Sequence, residues 1–144
     1  MKISVIGCGY VGCVTGACFA DWGHEVVFVD IDPRKIKSII AGKSPIYEPG
    51  LEDIIKKNQN RIGATMDLRE AIQSTDLTFI TVGTPSQEDG TIDLSYIVAA
   101  CENLGQCLRD KDTFHTVIMK STVLPGTTDK IIRPLLEKTS KKIA

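Results

Sequence analysis

The sequence predicts an α/β fold: a doubly wound parallel sheet with helices on both faces, formed by residues 1–144 as one domain. Three observations carry this prediction. Short apolar runs of strand length alternate with amphipathic stretches along the whole chain, the pattern of strands joined by crossover helices. The first run ends in Gly7-Cys8-Gly9-Tyr10-Val11-Gly12, three glycines spaced to turn a strand into a helix. The second run stops at an acid, Asp30, about twenty residues after that turn. Strand, glycine turn, helix and acid-tipped strand together are the opening unit of a Rossmann-type domain.

The elements follow in order. Residues 3–6 read as the first strand, and the small-residue stretch after Gly12 as a helix. Trp22-Gly23-His24 closes that helix, with Gly23 in the usual C-terminal position. Residues 25–30 form the second strand. Asp32 caps the next helix and Pro33 takes its first position. That helix carries Ile36, Ile39 and Ile40 on one face and ends near Gly42. Residues 44–51, with two prolines, make a stiff loop bearing Tyr47 and Glu48. A helix over 51–58 and a strand over 61–65 come next. Asp67 and Glu70 resemble a capping box at the start of a helix over 68–74.

Residues 77–82 are an apolar-rich run that suits a parallel strand buried on both faces. It runs into Gly83-Thr84-Pro85-Ser86, and residues 87–91 form a polar surface turn. Asp93 caps a helix from 94 to about 108, with Ile97, Val98, Cys101, Leu104 and Leu108 inward. Residues 114–119 are the fifth strand. The last helix covers 129 to about 138, kinked at Pro134, and 141–144 begin a sixth strand. Right-handed crossovers then give the strand order 3-2-1-4-5.

Composition narrows the function classes. The formal net charge of −1 offers no basic field for nucleic acid or anionic lipid. Any anion site must therefore be local, as a helix N-terminus is. No run reaches the roughly 20 apolar residues of a membrane span, and the folded-strand pattern at the N-terminus argues against a signal peptide. The five cysteines are odd in number and form no CxxC pair. They read as small buried thiols in a reducing compartment, which places the protein in the cytoplasm. With only two histidines and no ligand-like spacing, no metal site is expected.

The glycines have separate mechanical roles. Gly7 allows the tight turn, Gly9 lets backbone approach a pyrophosphate, and Gly12 lets the helix pack closely. The unpaired N–H groups and dipole of the helix start favour phosphate. Asp30 stands where ribose hydroxyls arrive, and its charge would repel a 2′-phosphate, so the expected cofactor is NAD and not NADP. Lys35 either reaches the adenosine side of that cofactor or is a solvated lysine. Arg34 and Lys35 lie in a first helical turn, where cations oppose the dipole, so helix stability is a poor reason for them. Thr84 follows a strand end and points at the same crevice. Lys120 either attracts an anion there or ends its strand in solvent.

The chain resembles the N-terminal NAD-binding domain of the UDP-glucose/GDP-mannose dehydrogenase family from residue 1 to residue 144. The resemblance rests on GCGYVG at 7–12, VDID at 29–32, GKSPIYEPGLE at 42–52, VGTPS at 82–86 and KSTVLPGTT at 120–128. It implies an enzyme that oxidises C6 of a nucleotide sugar twice, from alcohol to acid, reducing two NAD+. UDP-glucose is the first substrate it implies, GDP-mannose the second, and a non-catalytic NAD-binding module the remaining alternative. By resemblance, Tyr10 and Val11 contact the pyrophosphate through their backbone, and Asp30 and Lys35 contact the adenosine ribose. Thr84, Ser121 and Thr122 lie against the cofactor. The Thr122 hydroxyl helps hold a catalytic water near the nicotinamide; the plainer reading is a side-chain turn supporting its loop. The family's catalytic cysteine, lysine, aspartate and glutamate would lie beyond residue 144, with the central and substrate domains. A homodimer is implied at full length.

Overall fold

A computed structural model of the chain describes residues 1–143. Five parallel strands form one sheet in the order β3-β2-β1-β4-β5. They are β1 (Lys2–Ile6), β2 (Glu25–Val29), β3 (Ile62–Thr65), β4 (Leu77–Ile80) and β5 (Thr116–Met119). The helices are α1 (Tyr10–Asp21), α2 (Pro33–Ile40), α3 (Leu51–Lys57), α4 (Leu68–Ser74), α5 (Ser95–Arg109) and α6 (Arg133–Ser140). The expected fold class and strand order are both present.

Alternation along the strands divides the core. Ile3, Val5, Val26, Phe28, Leu77 and Phe79 face α1, α2 and α3. Ile6, Val29 and Ile80 face α4, α5 and α6. Both faces of β1, β2 and β4 are thus buried, as their near-continuous apolar runs require.

Local chemistry sets the helix ends. Asp32 Oδ1 accepts from the Arg34 amide at 2.9 Å, with Pro33 at the first helical position of α2. Asp67 Oδ1 accepts from the Glu70 amide at 3.1 Å, but the return half of the box is replaced: Thr65 Oγ1 accepts from the Asp67 amide at 3.0 Å. At the end of α1, Gly23 has φ +94°. Its amide bonds the Ala20 carbonyl, and that of His24 bonds the Phe19 carbonyl, a complete Schellman motif.

The structure departs from expectation at the C-terminal end. A π-helical turn, Thr128–Ile132, precedes α6, and Pro134 lies in the first turn of α6. Proline has no N–H to donate back along a helix, so it sits where one turn gives way to the next. No strand forms over 141–143; Lys141 adopts a left-handed conformation with φ 59° and ends α6. Ala144 lies outside the described residues. Ile40 is exposed at the end of α2, while Ile36 and Ile39 are buried.

A polar network crosses the core between β1 and β4, near the end of the sheet where the strands begin. The Thr75 carbonyl can only accept, so His115 Nδ1 donates to it at 3.2 Å. His115 Nε2 then accepts from Thr78 Oγ1 at 2.7 Å, and Thr78 Oγ1 accepts from Ser4 Oγ at 2.6 Å. Burial, with the nearby Lys111 ammonium second, pushes His115 down to about 4.

Candidate cofactor site

The sheet brings the predicted residues to one edge. Ile6 pairs with Val29 and with Ile80, and Ile80 pairs with Met119. The carboxyl ends of β2, β1, β4 and β5 therefore stand level. Asp30, Gly7, Thr81 and Lys120 form the next row, joined by Gly7 N to Val29 O at 2.8 Å, Thr81 N to Ile6 O at 2.9 Å and Lys120 N to Ile80 O at 3.0 Å. The chain leaves β1 toward β2 and later crosses to β4 on its other side, so this edge contains the topological switch point where such folds take ligands.

The glycine turn is tightly built. Gly7 has φ +100°, and a Cβ there would stand 2.9 Å from the Thr81 carbonyl oxygen. A Cβ on Gly12 would fall 1.9 Å from the Gly7 carbonyl oxygen. A Cβ on Gly12 would also fall 2.6 Å from Thr81 Oγ1, so Gly12 packs against both the turn and the end of β4. A second close helix-to-sheet contact belongs to Gly16, whose Cβ would meet the Phe28 ring at 2.4 Å. Gly9, by contrast, faces open space. As the N-cap of α1 it offers no side chain to the first turn. Tyr10 and Val11 follow it with exposed side chains. A capless helix start facing open space suits a phosphate group.

Asp30 is held from several sides. Oδ2 accepts from the Cys8 amide at 2.7 Å, and Oδ1 from the Asp32 amide at 2.9 Å. Lys35 Nζ lies 3.3 Å from Oδ2, and the carboxylate's side chain is 8% exposed. This pair gives Lys35 a definite place beside Asp30. Arg34 has a helical reason that sequence reasoning missed. Its guanidinium grips the N-cap, with Nη2 2.8 Å from Asp32 Oδ2, and its side-chain and amide bonds hold the Asp32 carboxyl down to about 2.

On the other side of the switch point, Thr84 is half-buried just past β4. Ser121 ties the two strand ends together: its Oγ donates to the Val82 carbonyl at 2.7 Å and its amide to the Ile80 carbonyl at 3.0 Å. Thr122 is exposed. The loop is shaped by Leu124-Pro125-Gly126-Thr127. There the Thr127 amide bonds the Leu124 carbonyl at 3.1 Å and Gly126 has φ +85°, a type II turn. Lys120 is exposed at the strand end.

Thr81 was missed from sequence. Its hydroxyl sits between the Ile6 and Gly7 carbonyls, at 2.8 and 2.9 Å, and anchors the glycine turn from β4. The pairing spans more than seventy residues, and no local signal could mark it. A cavity of about 580 Å³ lies at the opposite end of the sheet among Met1, Lys2, Asp76 and Lys111. Among the described residues no cluster of three His, Cys, Asp or Glu could hold a metal ion, and no helix is long and apolar enough to cross a membrane.

The geometry agrees with comparison to known proteins. The model of the UDP-glucose/GDP-mannose dehydrogenase family, NAD binding domain, matches residues 1–144. GDP-mannose 6-dehydrogenase of Pseudomonas syringae pv. syringae is 49% identical across 100% of this chain, and UDP-glucose 6-dehydrogenase of Haloferax volcanii is 46% identical across 99%. In each case the chain spans 33% of the relative's length. The crystal structure of a ternary complex of GDP-mannose dehydrogenase from Pseudomonas aeruginosa superposes with a TM-score of 0.97 at 45% identity, over 99% of this chain and 33% of that one. The chain belongs to the UDP-glucose/GDP-mannose dehydrogenase family and corresponds to its NAD binding domain.

Proposed function

We propose that this chain is the cofactor-holding part of a cytoplasmic nucleotide-sugar 6-dehydrogenase. The whole enzyme would oxidise the C6 hydroxyl of UDP-glucose to the uronic acid, with NAD+ taking up hydride at each of two steps. The observation that carries the reading is the junction of the glycine turn with Asp30, joined by the 2.7 Å bond from the Cys8 amide. The turn offers a capless helix start to a pyrophosphate, and the carboxylate stands one strand away for a ribose.

In this reading the amides of Gly9, Tyr10, Val11 and Gly12 receive the pyrophosphate, and Gly7 shapes the turn that presents them. Asp30 has one oxygen with spare acceptor capacity, since Oδ1 takes only the Asp32 amide. It accepts from the adenosine ribose there, and Lys35 steadies it from the other oxygen. Thr84 and Ser121 border the nicotinamide side. Thr122 orients a water with its hydroxyl, adding no charge. The substrate, the homodimer and the remaining catalytic groups belong to the whole protein. The five thiols, none in a disulfide, support a reducing, cytoplasmic setting.

GDP-mannose is the second substrate reading, supported by 45–49% identity to GDP-mannose 6-dehydrogenases, a range that also includes the 46% to UDP-glucose 6-dehydrogenase. Similarity in the cofactor part does not separate the two sugars. Calorimetric titration of the chain with NAD+ and NADP+ at matched salt tests the cofactor role; saturable NAD+ binding with rejection of NADP+ is expected, and binding of neither refutes it. Offering UDP-glucose and GDP-mannose to the parent protein and following NADH tests the rest.

A further inference from the structure

The turn that this reading gives to the pyrophosphate is braced by two sulfurs. With Gly9 as the N-cap of α1, Cys8 occupies the residue before the cap and Cys13 the fourth helical position. Side chains at those two positions pack on each other across the first turn and fix the angle at which chain meets helix. Apolar side chains usually fill both. Here both are thiols, both are fully buried, and both lie in the same core cluster.

We infer that Cys8 and Cys13 form a redox modification site, in which an intramolecular disulfide distorts the glycine turn and releases NAD. The inference rests on the cofactor reading above. A disulfide needs Cβ atoms about 3.8 Å apart and one particular dihedral, a tighter demand than packing contact. Drawing Cys8 inward moves the residue whose amide holds Asp30 at 2.7 Å, and with it the adjoining Gly9. The helix start and the ribose carboxylate would then lose their common frame.

The two sulfurs are chemically unequal. The Cys8 thiol donates to the Val29 carbonyl, 3.9 Å from its sulfur, and so holds its proton there; the Cys13 thiol is held below its ordinary range by the adjoining Cys8 sulfur, with the nearby Lys35 ammonium helping. A place in the first turn of a helix favours a thiolate in the same direction. The neighbouring Cys13 sulfur and burial push the Cys8 thiol up. Cys13 is therefore the attacking sulfur and Cys8 the resolving one. With hydrogen peroxide as oxidant, the Cys13 thiolate attacks one peroxide oxygen, the O–O bond breaks, and the departing hydroxide takes a proton to become water. Cys13 is now a sulfenic acid. The Cys8 sulfur attacks it, the S–O bond breaks, and the Cys8 proton leaves with the second water. Two thiols lose two electrons in all, and one peroxide gains them.

Because both sulfurs are covered, oxidant reaches them when the first turn of α1 opens. A bound pyrophosphate would hold that turn shut. NAD should therefore protect the pair, and the disulfide should weaken NAD, two faces of one linkage.

The test uses the chain with Cys18→Ser, which removes the most exposed of the five thiols. NAD+ affinity of the reduced protein is measured first. The protein is then treated with hydrogen peroxide, with and without saturating NAD+, and the crosslinks are mapped by peptide mass. The expected result is a Cys8–Cys13 disulfide that forms several-fold more slowly with NAD+ present. The oxidised protein should bind NAD+ at least tenfold more weakly, with recovery on reduction. Cys13→Ala, whatever its starting affinity for NAD+, should show no change in that affinity on peroxide treatment. The absence of that crosslink overturns the proposal, as does a crosslinked protein with unchanged affinity or an equal loss of affinity in Cys13→Ala. A reduced protein that never binds NAD+ instead refutes the cofactor reading, and the crosslink map still judges the disulfide.

Discussion

Asp30 carries two roles in one carboxylate. It stands at the tip of β2 where a ribose would arrive, and it also holds the Cys8 and Asp32 amides. Asp30→Ala should therefore do more than remove a ribose contact. Bonds to a charged group are worth roughly 1.5–3 kcal/mol, so NAD+ affinity should fall at least tenfold and the gap to NADP+ should narrow. Asp30→Asn keeps an acceptor for one amide and should lose less. Calorimetric titration of both variants with both cofactors checks this, and an unchanged preference would remove Asp30 from the role. His115 gives a second residue-scale expectation. Its folded value, about 4, lies below the ordinary 6.5. A group depressed in this way contributes its stability above pH 6.5 and loses it as pH falls toward 4. Discounted for partial exposure, the loss is on the order of 1–2 kcal/mol. Thermal melts of wild type and His115→Gln over this range should converge at the acid end.

At the scale of elements, two glycines of α1 separate by what they touch. A Cβ on Gly12 meets the Gly7 carbonyl, backbone that cannot move without undoing the turn, whereas one on Gly16 meets the edge of the Phe28 ring. Gly16→Ala should cost about 1–2 kcal/mol, offset in part by alanine's helix preference of roughly 1 kcal/mol. Gly12→Ala should cost more than about 3 kcal/mol and abolish NAD+ binding; melts and titration of the two variants make the comparison. The sequence made Gly7, Gly12, Asp30 and Asp32 legible because their signals are local: a turn, a cap, a strand tip. It did not mark Gly16, Thr81 or the stitch from Ser121 to Val82, whose partners lie across the fold. The clipped strands have the same origin. Thr81 and Val82 continue the apolar run of β4, but past the last amide bond, from Thr81 to Ile6, the Thr81 hydroxyl anchors the turn and the Val82 carbonyl meets Ser121.

For the molecule as a whole, the three-to-one length of its relatives bears on activity. The isolated chain should bind NAD+ yet form no NADH from UDP-glucose or GDP-mannose, and measurable turnover by the purified 144-residue protein would contradict this. The level row of strand ends has a consequence of its own. Four loops that converge on the crevice share one baseline, set by backbone pairing and independent of the helices between them. Helices can drift in length and sequence while the four loops keep station. Removing a single residue from within β4 would shift Thr84 by about 3.3 Å against Asp30 and exchange the side chains between the strand's two packed faces. The sheet serves as the molecule's datum line, and heritable variation should accumulate between the strands far more readily than within them.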